Sequence, residues 1–275
     1  MTNPLEPGLY VVATPIGNLS DLSERAIATL RAAEVVAAED TRTSGTLVKR
    51  AGGSGRMVSL TEHNVEQRTP QLLAAAREGV VALVSDAGTP VIADPGARLV
   101  EAAHAAGVRV IPIPGPSALA AAISASGFEG SDVHFLGFLP RGRGERVTRL
   151  QAAAAAASVL VFFESPQRLG KTLLELVEHL SDPETVVCRE LTKLHEEVAR
   201  GRASELAGRF ETARGECTVV VRCPAAQDSS SSLPDATALL AAMKRAGARR
   251  PAAAAEVARL SGAKRVDLYD AWEAL

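Results

Sequence analysis

The first half of the chain alternates short, unbroken apolar runs with segments of helical spacing. The runs are Leu9-Tyr10-Val11-Val12-Ala13, Val35-Val36-Ala37-Ala38, Met57-Val58-Ser59-Leu60, Val80-Val81-Ala82-Leu83-Val84 and Val108-Arg109-Val110-Ile111-Pro112-Ile113. Apolar runs with little polar alternation predict strands covered on both faces, as in a parallel sheet flanked by helices. A helix is expected from about Ser23 to Ala33, and an Ala/Leu/Val helix after Gly96. Each strand ends in a loop carrying Gly, Pro or hydrogen-bonding side chains: Thr14 to Leu19, Glu39-Asp40-Thr41-Arg42, Thr61-Glu62-His63-Asn64, Ser85 to Gly96, and Pro114-Gly115-Pro116-Ser117. Parallel connectivity gathers these loops at one edge of one sheet, where open α/β sheets place ligands. The Ser85 to Gly96 loop is the richest and reads as the floor of a binding site, although a long turn built on two prolines accounts for the same residues.

The second half repeats the alternation. A helix capped by Ser117 closes at Ser126-Gly127, and strands are expected at Val133 to Gly137, Val159 to Phe163, Thr185 to Cys188 and Cys217 to Val221. Helices run to about Ala157 and Leu180 between them. The fold class predicted is α/β: an N-terminal α/β domain (1–116), a second α/β domain with mixed strand directions (117–223), a Ser/Pro-rich linker (224–235) and a helical module (236–275). Three short helical patterns make up the module, with Pro251 opening the second and Ser261-Gly262 ending it.

Composition narrows the picture. Of 275 residues 47% are hydrophobic but only 3% aromatic, so the core is built from Ala, Val, Leu and Ile. A net charge of −2 gives no global attraction to polyanions, so nucleic-acid contact has to come from local patches. Two are present: Arg141 to Arg149, and residues 236–265, where Lys244, Arg245, Arg249, Arg250, Arg259, Lys264 and Arg265 face Glu256 alone. Exposed helices carry charge in any case, so the second patch also fits an ordinary solvated face. Cys188, Cys217 and Cys223 lack ligand spacing, which predicts no metal site and a reducing compartment without structural disulfides. Met1-Thr2-Asn3-Pro4 does not open a leader and no apolar stretch reaches spanning length, so a soluble, cytoplasmic protein with no membrane partner is expected.

The first loop restricts the ligand. A dinucleotide fingerprint needs several glycines and a P-loop needs Gly-Lys-Ser/Thr; Thr14 to Leu19 has one glycine and no lysine. The expected ligand therefore lacks a di- or triphosphate, which points away from NAD, FAD and ATP.

Seven segments in order, Ala13 to Leu19, Ala38 to Arg42, Glu62-His63-Asn64, Val84 to Pro90, Pro112 to Ser117, Phe163 to Pro166 and Arg189 to Glu197, resemble the tetrapyrrole methylase superfamily in its bacterial ribosomal branch, the 16S rRNA cytidine 2′-O-methyltransferases. The likeness spans about residues 8–222. It implies two α/β domains with S-adenosylmethionine between them, a homodimer, and a decoding-region cytidine on the small ribosomal subunit as acceptor. The tetrapyrrole-modifying branch carries Gly-Ala-Gly-Pro-Gly-Asp after its first strand, which Ala13 to Asn18 does not match. A tetrapyrrole or other small-molecule methyltransferase, and a non-enzymatic RNA-binding assembly protein, remain as other readings.

By the same resemblance the cofactor lies against Pro15, Ile16, Asp86, Ala87, Gly88, Thr89, Pro90, Val91, Ile92, Ser117, Ala118, Phe163 and Leu191. Asp94-Pro95-Gly96 reads as turn chemistry rather than ligand contact. Attack of a 2′-hydroxyl on an activated methyl group depends on alignment and on a base or cation near the oxygen. Among Asp40, Arg42, His63, Asn64, Glu164, Arg189, Glu190, Lys193, His195 and Glu196, the candidates for the nucleophile side are Glu164, Glu190, Lys193 and His195. Glu190, Lys193 and Glu196 also fit a surface ion-pair network, and His63 a loop cap. Arg42, Arg141, Arg143, Arg189, Arg249 and Arg250 are the candidates for RNA contact.

Overall fold

The structure is a computed structural model that describes residues 5–223, 233–261, 263 and 265–275. The N-terminal tetrapeptide, most of the expected linker, Gly262 and Lys264 lie outside the described residues.

The first sheet has the order β3-β2-β4-β1-β5, all parallel, from β1 (Gly8–Val12), β2 (Val35–Ala38), β3 (Arg56–Ser59), β4 (Val80–Val84) and β5 (Val110–Ile113). Every residue of β2 and β4 is buried, which is why both are written in Val, Ala and Leu alone. Pro112 is accommodated because β5 is an edge strand. On one face, α1 (Glu24–Ala32) and α2 (Thr41–Arg50) pack Ala26, Leu30 and Val48 against Val12, Val36 and Val84. On the other, α3 (Val65–Glu78) and α4 (Ala97–Ala105) pack Leu72, Ala76, Leu99 and Ala103 against Leu9, Val81 and Leu83. From β1 the chain crosses toward β2, and from β4 it crosses toward β5 on the opposite side. The loops after β1 and β4 therefore part at a topological switch point, which opens a crevice between them.

The second sheet, β6-β7-β10-β8-β9, is mixed, as expected: β6 (Val133–Phe138) and β7 (Val159–Glu164) are parallel, while β10 (Cys217–Arg222), β8 (Glu184–Arg189) and β9 (Glu197–Arg202) pair antiparallel. Its strands alternate. Leu160, Phe162, Val219 and Val221 meet α6 (Arg143–Ala154), α7 (Pro166–Leu180) and α8 (Ala203–Arg209), whereas Val159, Val161 and Val220 meet α5 (Ala118–Ser126). Ser117 caps α5 by accepting from Ala120 N, and Gly127 ends it in the left-handed conformation, φ 68°. Strand β9 and helix α8 were not expected from the pattern. Glu197-Val198-Ala199-Arg200-Gly201-Arg202 is an edge strand with one face open, so charged residues interrupt its apolar signal.

Helices α9 (Leu233–Arg245), α10 (Arg250–Ser261) and α11 (Arg265–Ala274) form a separate small core from Ala236, Leu240, Ala253, Ala254, Val257 and Leu268. Helix α9 begins inside the stretch expected to be linker, because Leu233-Pro234-Asp235 supplies its first turn. Among the described residues no helix is long and apolar enough to cross a membrane.

Candidate active site

A cleft of about 420 Å³ lies where the two sheets face each other. Its floor is made by the loops that leave β1 and β4. Thr14 and Gly88 pair through reciprocal backbone hydrogen bonds of 2.8 and 3.1 Å, and Ser85 Oγ and Thr14 Oγ1 both donate to Gly88 O. Gly88 takes φ 86°, and a Cβ there would stand 3.3 Å from Ile16 Cγ2. Thr89 Oγ1 donates to Pro116 O at 3.1 Å, which joins this loop to the start of α5.

Of the residues expected at the cofactor, Ile16, Asp86, Ala87, Gly88, Thr89, Ile92, Ser117, Ala118 and Phe163 line the cleft. Pro15, Pro90, Val91 and Leu191 do not. Leu191 instead packs into the core beneath α5. Val91 is exposed, with φ 75°.

Asp94, read from the sequence as turn chemistry, lines the cleft and is half-buried. Burial, with the neighbouring carboxylates Glu39 and Asp86, pushes its carboxyl up to about 6. Positive φ at Val91 (75°) and Ala93 (65°) is the backbone conformation that brings Asp94 round. Such a conformation in non-glycine residues carries strain, and strain of this kind gathers at functional loops. No spacing rule points to it from sequence. Phe138, Ser165, Pro166 and Gly215-Glu216-Cys217-Thr218 also line the cleft, beyond the residues expected there from the sequence.

Glu164 borders the cleft, but its side chain is 1% exposed and all its acceptors are engaged. Ser165 N donates to one oxygen at 2.7 Å; Arg168 and Thr172 donate to the other at 3.0 and 2.8 Å. These bonds engage both carboxylate oxygens and secure the first turns of α7. Glu190 accepts from Lys193 Nζ (2.8 Å) and Glu216 N (2.9 Å), which holds its carboxyl below the usual range. Burial draws the Lys193 ammonium down, but the Glu190 and Glu216 carboxylates outweigh it and the net shift is upward. The pair thus braces the Gly215-Glu216 wall from behind. Gly17 of the first loop sits directly on this turn, where a Cβ would overlap Lys193 Cγ. His195 is exposed and outside the cleft. His63 lies in a neighbouring hollow with Glu62, Asp94 and Arg98, and Asn64 closes its own loop by bonding Thr61 N and Ser59 O.

The candidate RNA-contacting arginines divide by partner. Arg189 is held by Glu197 at 2.9 Å, Arg143 by Glu178 at 2.7 Å, and Arg250 by Glu273 and the Tyr269 ring. Arg146, in the same basic segment, is a buried bidentate partner of Glu175 at 2.6 and 2.7 Å. Arg42 stands exposed at the head of α2, paired with Asp40, whose backbone N donates to Asp86 at 3.2 Å. Arg141 and Arg249 are exposed with no side-chain partner among the described residues.

The donor set suits a ligand that combines an anionic carboxylate, an apolar body and a cationic centre. The free N–H groups at the start of α5 suit the carboxylate, Ile16, Ile92 and Phe163 the body, and the Asp86/Asp94/Glu39 side the cation. Among the described residues no phosphate-cradling glycine loop is present. The three cysteines are buried, and burial pushes each thiol up to about 11, away from the reactive thiolate form.

Residues 8–207 match the family described as Tetrapyrrole (Corrin/Porphyrin) Methylases. The chain is 45% identical over 273 residues to Ribosomal RNA small subunit methyltransferase I of Mesorhizobium japonicum, covering 97% of this chain and 91% of that protein. It is also 45% identical to the protein of that name from Thermotoga maritima, covering 78% of this chain and 97% of that one. Two solved structures share the fold: a diphthine synthase (TM-score 0.62, 19% identity, 78% of this chain and 89% of that one) and a Thermus thermophilus uroporphyrin-III-C-methyltransferase (0.55, 24%, 79% and 94%).

Proposed function

The chain belongs to the tetrapyrrole methylase family, and from that premise we propose that it is a ribosomal RNA methyltransferase, moving the methyl group of S-adenosylmethionine to a cytidine ribose 2′-hydroxyl in the decoding region of 16S rRNA on the small subunit. The observation that carries the reading is a switch-point cleft without phosphate-binding glycines, on a chain 45% identical to a ribosomal RNA methyltransferase over nearly its whole length. A tetrapyrrole acceptor is disfavoured because the likeness to the uroporphyrin enzyme extends to the fold alone.

The cofactor supplies a methyl group already activated on a sulfonium, so the protein's task is alignment and charge. Ser117 and the α5 N-terminus would hold the amino-acid end, and Ile16, Ile92 and Phe163 would enclose the base. Asp86 and Asp94, which line the cleft, would draw the cationic cofactor in by charge attraction. Two exposed arginines, Arg42 at the head of α2 and Arg141 three residues beyond the cleft-lining Phe138, are the groups assigned to acceptor phosphates. The functional unit is a homodimer in the cytoplasm that acts on RNA already folded in the subunit, consistent with a net charge too small to retain naked RNA.

The test is methyl transfer from isotope-labelled S-adenosylmethionine to small subunits lacking the modification, followed by nuclease digestion and mass spectrometry. Label on a cytidine ribose is expected. Cofactor binding without label on RNA would instead support a small-molecule acceptor.

A further inference from the structure

Phe138 is the anomaly of the cleft rim. In an aromatic-poor protein it is 63% exposed, yet it lines the cleft and tilts against Phe163, with ring centroids 5.4 Å apart. Strict alternation along β6 would send Phe138 to the face of Leu136, into the core beneath α6 and α7. The strand does not alternate there. Phe135 pairs with Val161 but Phe138 pairs with Phe163, so β6 spends three residues where β7 spends two. Gly137 takes φ 62° in this bulge, and a Cβ there would meet nothing within 4 Å, so backbone conformation rather than crowding calls for glycine. The extra residue turns Phe138 onto the face of Phe135, whose ring meets Phe163 at 5.1 Å. Bulges that re-aim one side chain beside an active site are built features.

A rigid aromatic ring with one free face, at the mouth of a methyl-transfer cleft, fits an unstacked nucleobase. Single-stranded RNA is commonly read in this way, with splayed bases stacked on aromatic side chains and phosphates met by nearby arginine. The arginine is present: Arg141 follows three residues on, exposed and without a side-chain partner among the described residues. Phe163 and Ile16 are the more enclosed apolar walls, suited to the cofactor's own base, whereas Phe138 faces incoming solvent.

We propose that Phe138 is the platform on which the base of the acceptor nucleotide stacks, holding its ribose over the cleft. This rests on the RNA reading above. It adds a specificity-determining residue and a substrate condition, namely that the target nucleotide is unstacked from its neighbours when it is methylated.

The experiment compares Phe138→Ala, Phe138→Leu and Phe138→Trp with the wild type on unmodified small subunits, with calorimetry of S-adenosylmethionine binding on each. Phe138→Ala and Phe138→Leu are expected to raise KM for subunits about tenfold or more. Their cofactor affinity stays within twofold of wild type, and Phe138→Trp restores KM. Unchanged subunit KM in Phe138→Ala overturns the proposal, as does a loss of cofactor affinity that accounts for the whole defect, since the ring would then belong to the cofactor's base. A second readout places Phe138→Trp in a Trp272→Phe background, where indole emission should be quenched by unmodified subunits and not by S-adenosylmethionine; the reverse pattern also overturns the proposal. Failure of the wild-type protein to methylate subunits strikes the RNA reading itself, which the variants cannot mimic.

Discussion

Thr14 and Gly88 bind each other through two backbone hydrogen bonds, of 2.8 and 3.1 Å, although they sit in the separate loops that follow β1 and β4 and lie far apart in the chain. This bridge fixes the floor of the cleft before any ligand arrives. Its weak point is Gly88, whose φ of 86° a side chain rarely adopts. Gly88→Ala should cost about 1 kcal/mol of stability and press on Ile16. Calorimetry should show S-adenosylmethionine affinity falling by more than the stability loss explains; wild-type affinity would show that the floor tolerates displacement.

Glu164 was a candidate base and is better understood as an anchor. Glu164→Ala leaves Arg168 and Thr172 without their shared carboxylate in a buried setting, at an expected cost of about 3 kcal/mol. Glu164→Gln should retain the fold and much of the transfer rate, with its pH profile unmoved. A large drop in kcat for a stable Gln variant would restore the catalytic role.

Asp94 makes stability depend on pH in a defined direction. Its carboxyl is raised from the ordinary 3.8 to about 6 by burial, Glu39 and Asp86, so the folded chain holds this proton more tightly than the unfolded chain does. Stability therefore falls as pH rises from about 4 through 6, and the cost of ionisation is complete above that range. Asp94→Asn removes the cost, with a gain of about 1 kcal/mol at pH 8 after solvent screening and little gain near pH 4. Urea midpoints at the two pH values would check this, and equal gains at both would refute it.

The unpaired arginines predict where RNA affinity resides. Arg141→Ala should raise KM for subunits and reduce the salt dependence of binding, leaving the melting temperature unchanged. Arg189→Ala should instead lower the melting temperature, because Glu197 loses a partner. Removal of residues 236–275 should weaken subunit binding more than cofactor binding. Equal subunit affinity in the truncated protein would mean that its basic helices, where Arg250 is already engaged with Glu273, do not touch RNA.

Much of this was legible in one dimension. The central strands β2 and β4 are continuous Val/Ala/Leu runs because burial on both faces leaves no other pattern, and parallel pairing with their neighbours gathers the loops at one edge. Ser117 and Gly127 announced both ends of α5, since cap chemistry is local. The absence of phosphate-binding glycines limited the ligand for the same reason. What only the tertiary structure decided depends on partners distant in sequence. Glu164, Arg189 and Arg146 look like free functional charges until Thr172, Glu197 and Glu175 are brought to them. Asp94 looks like a turn residue until Glu39 and Asp86 crowd it, and Phe138 looks like core until a bulge of one residue turns it to the cleft. Hydrophobic periodicity records what is covered, but the protonation and reach of a side chain depend on which other segments fold against it.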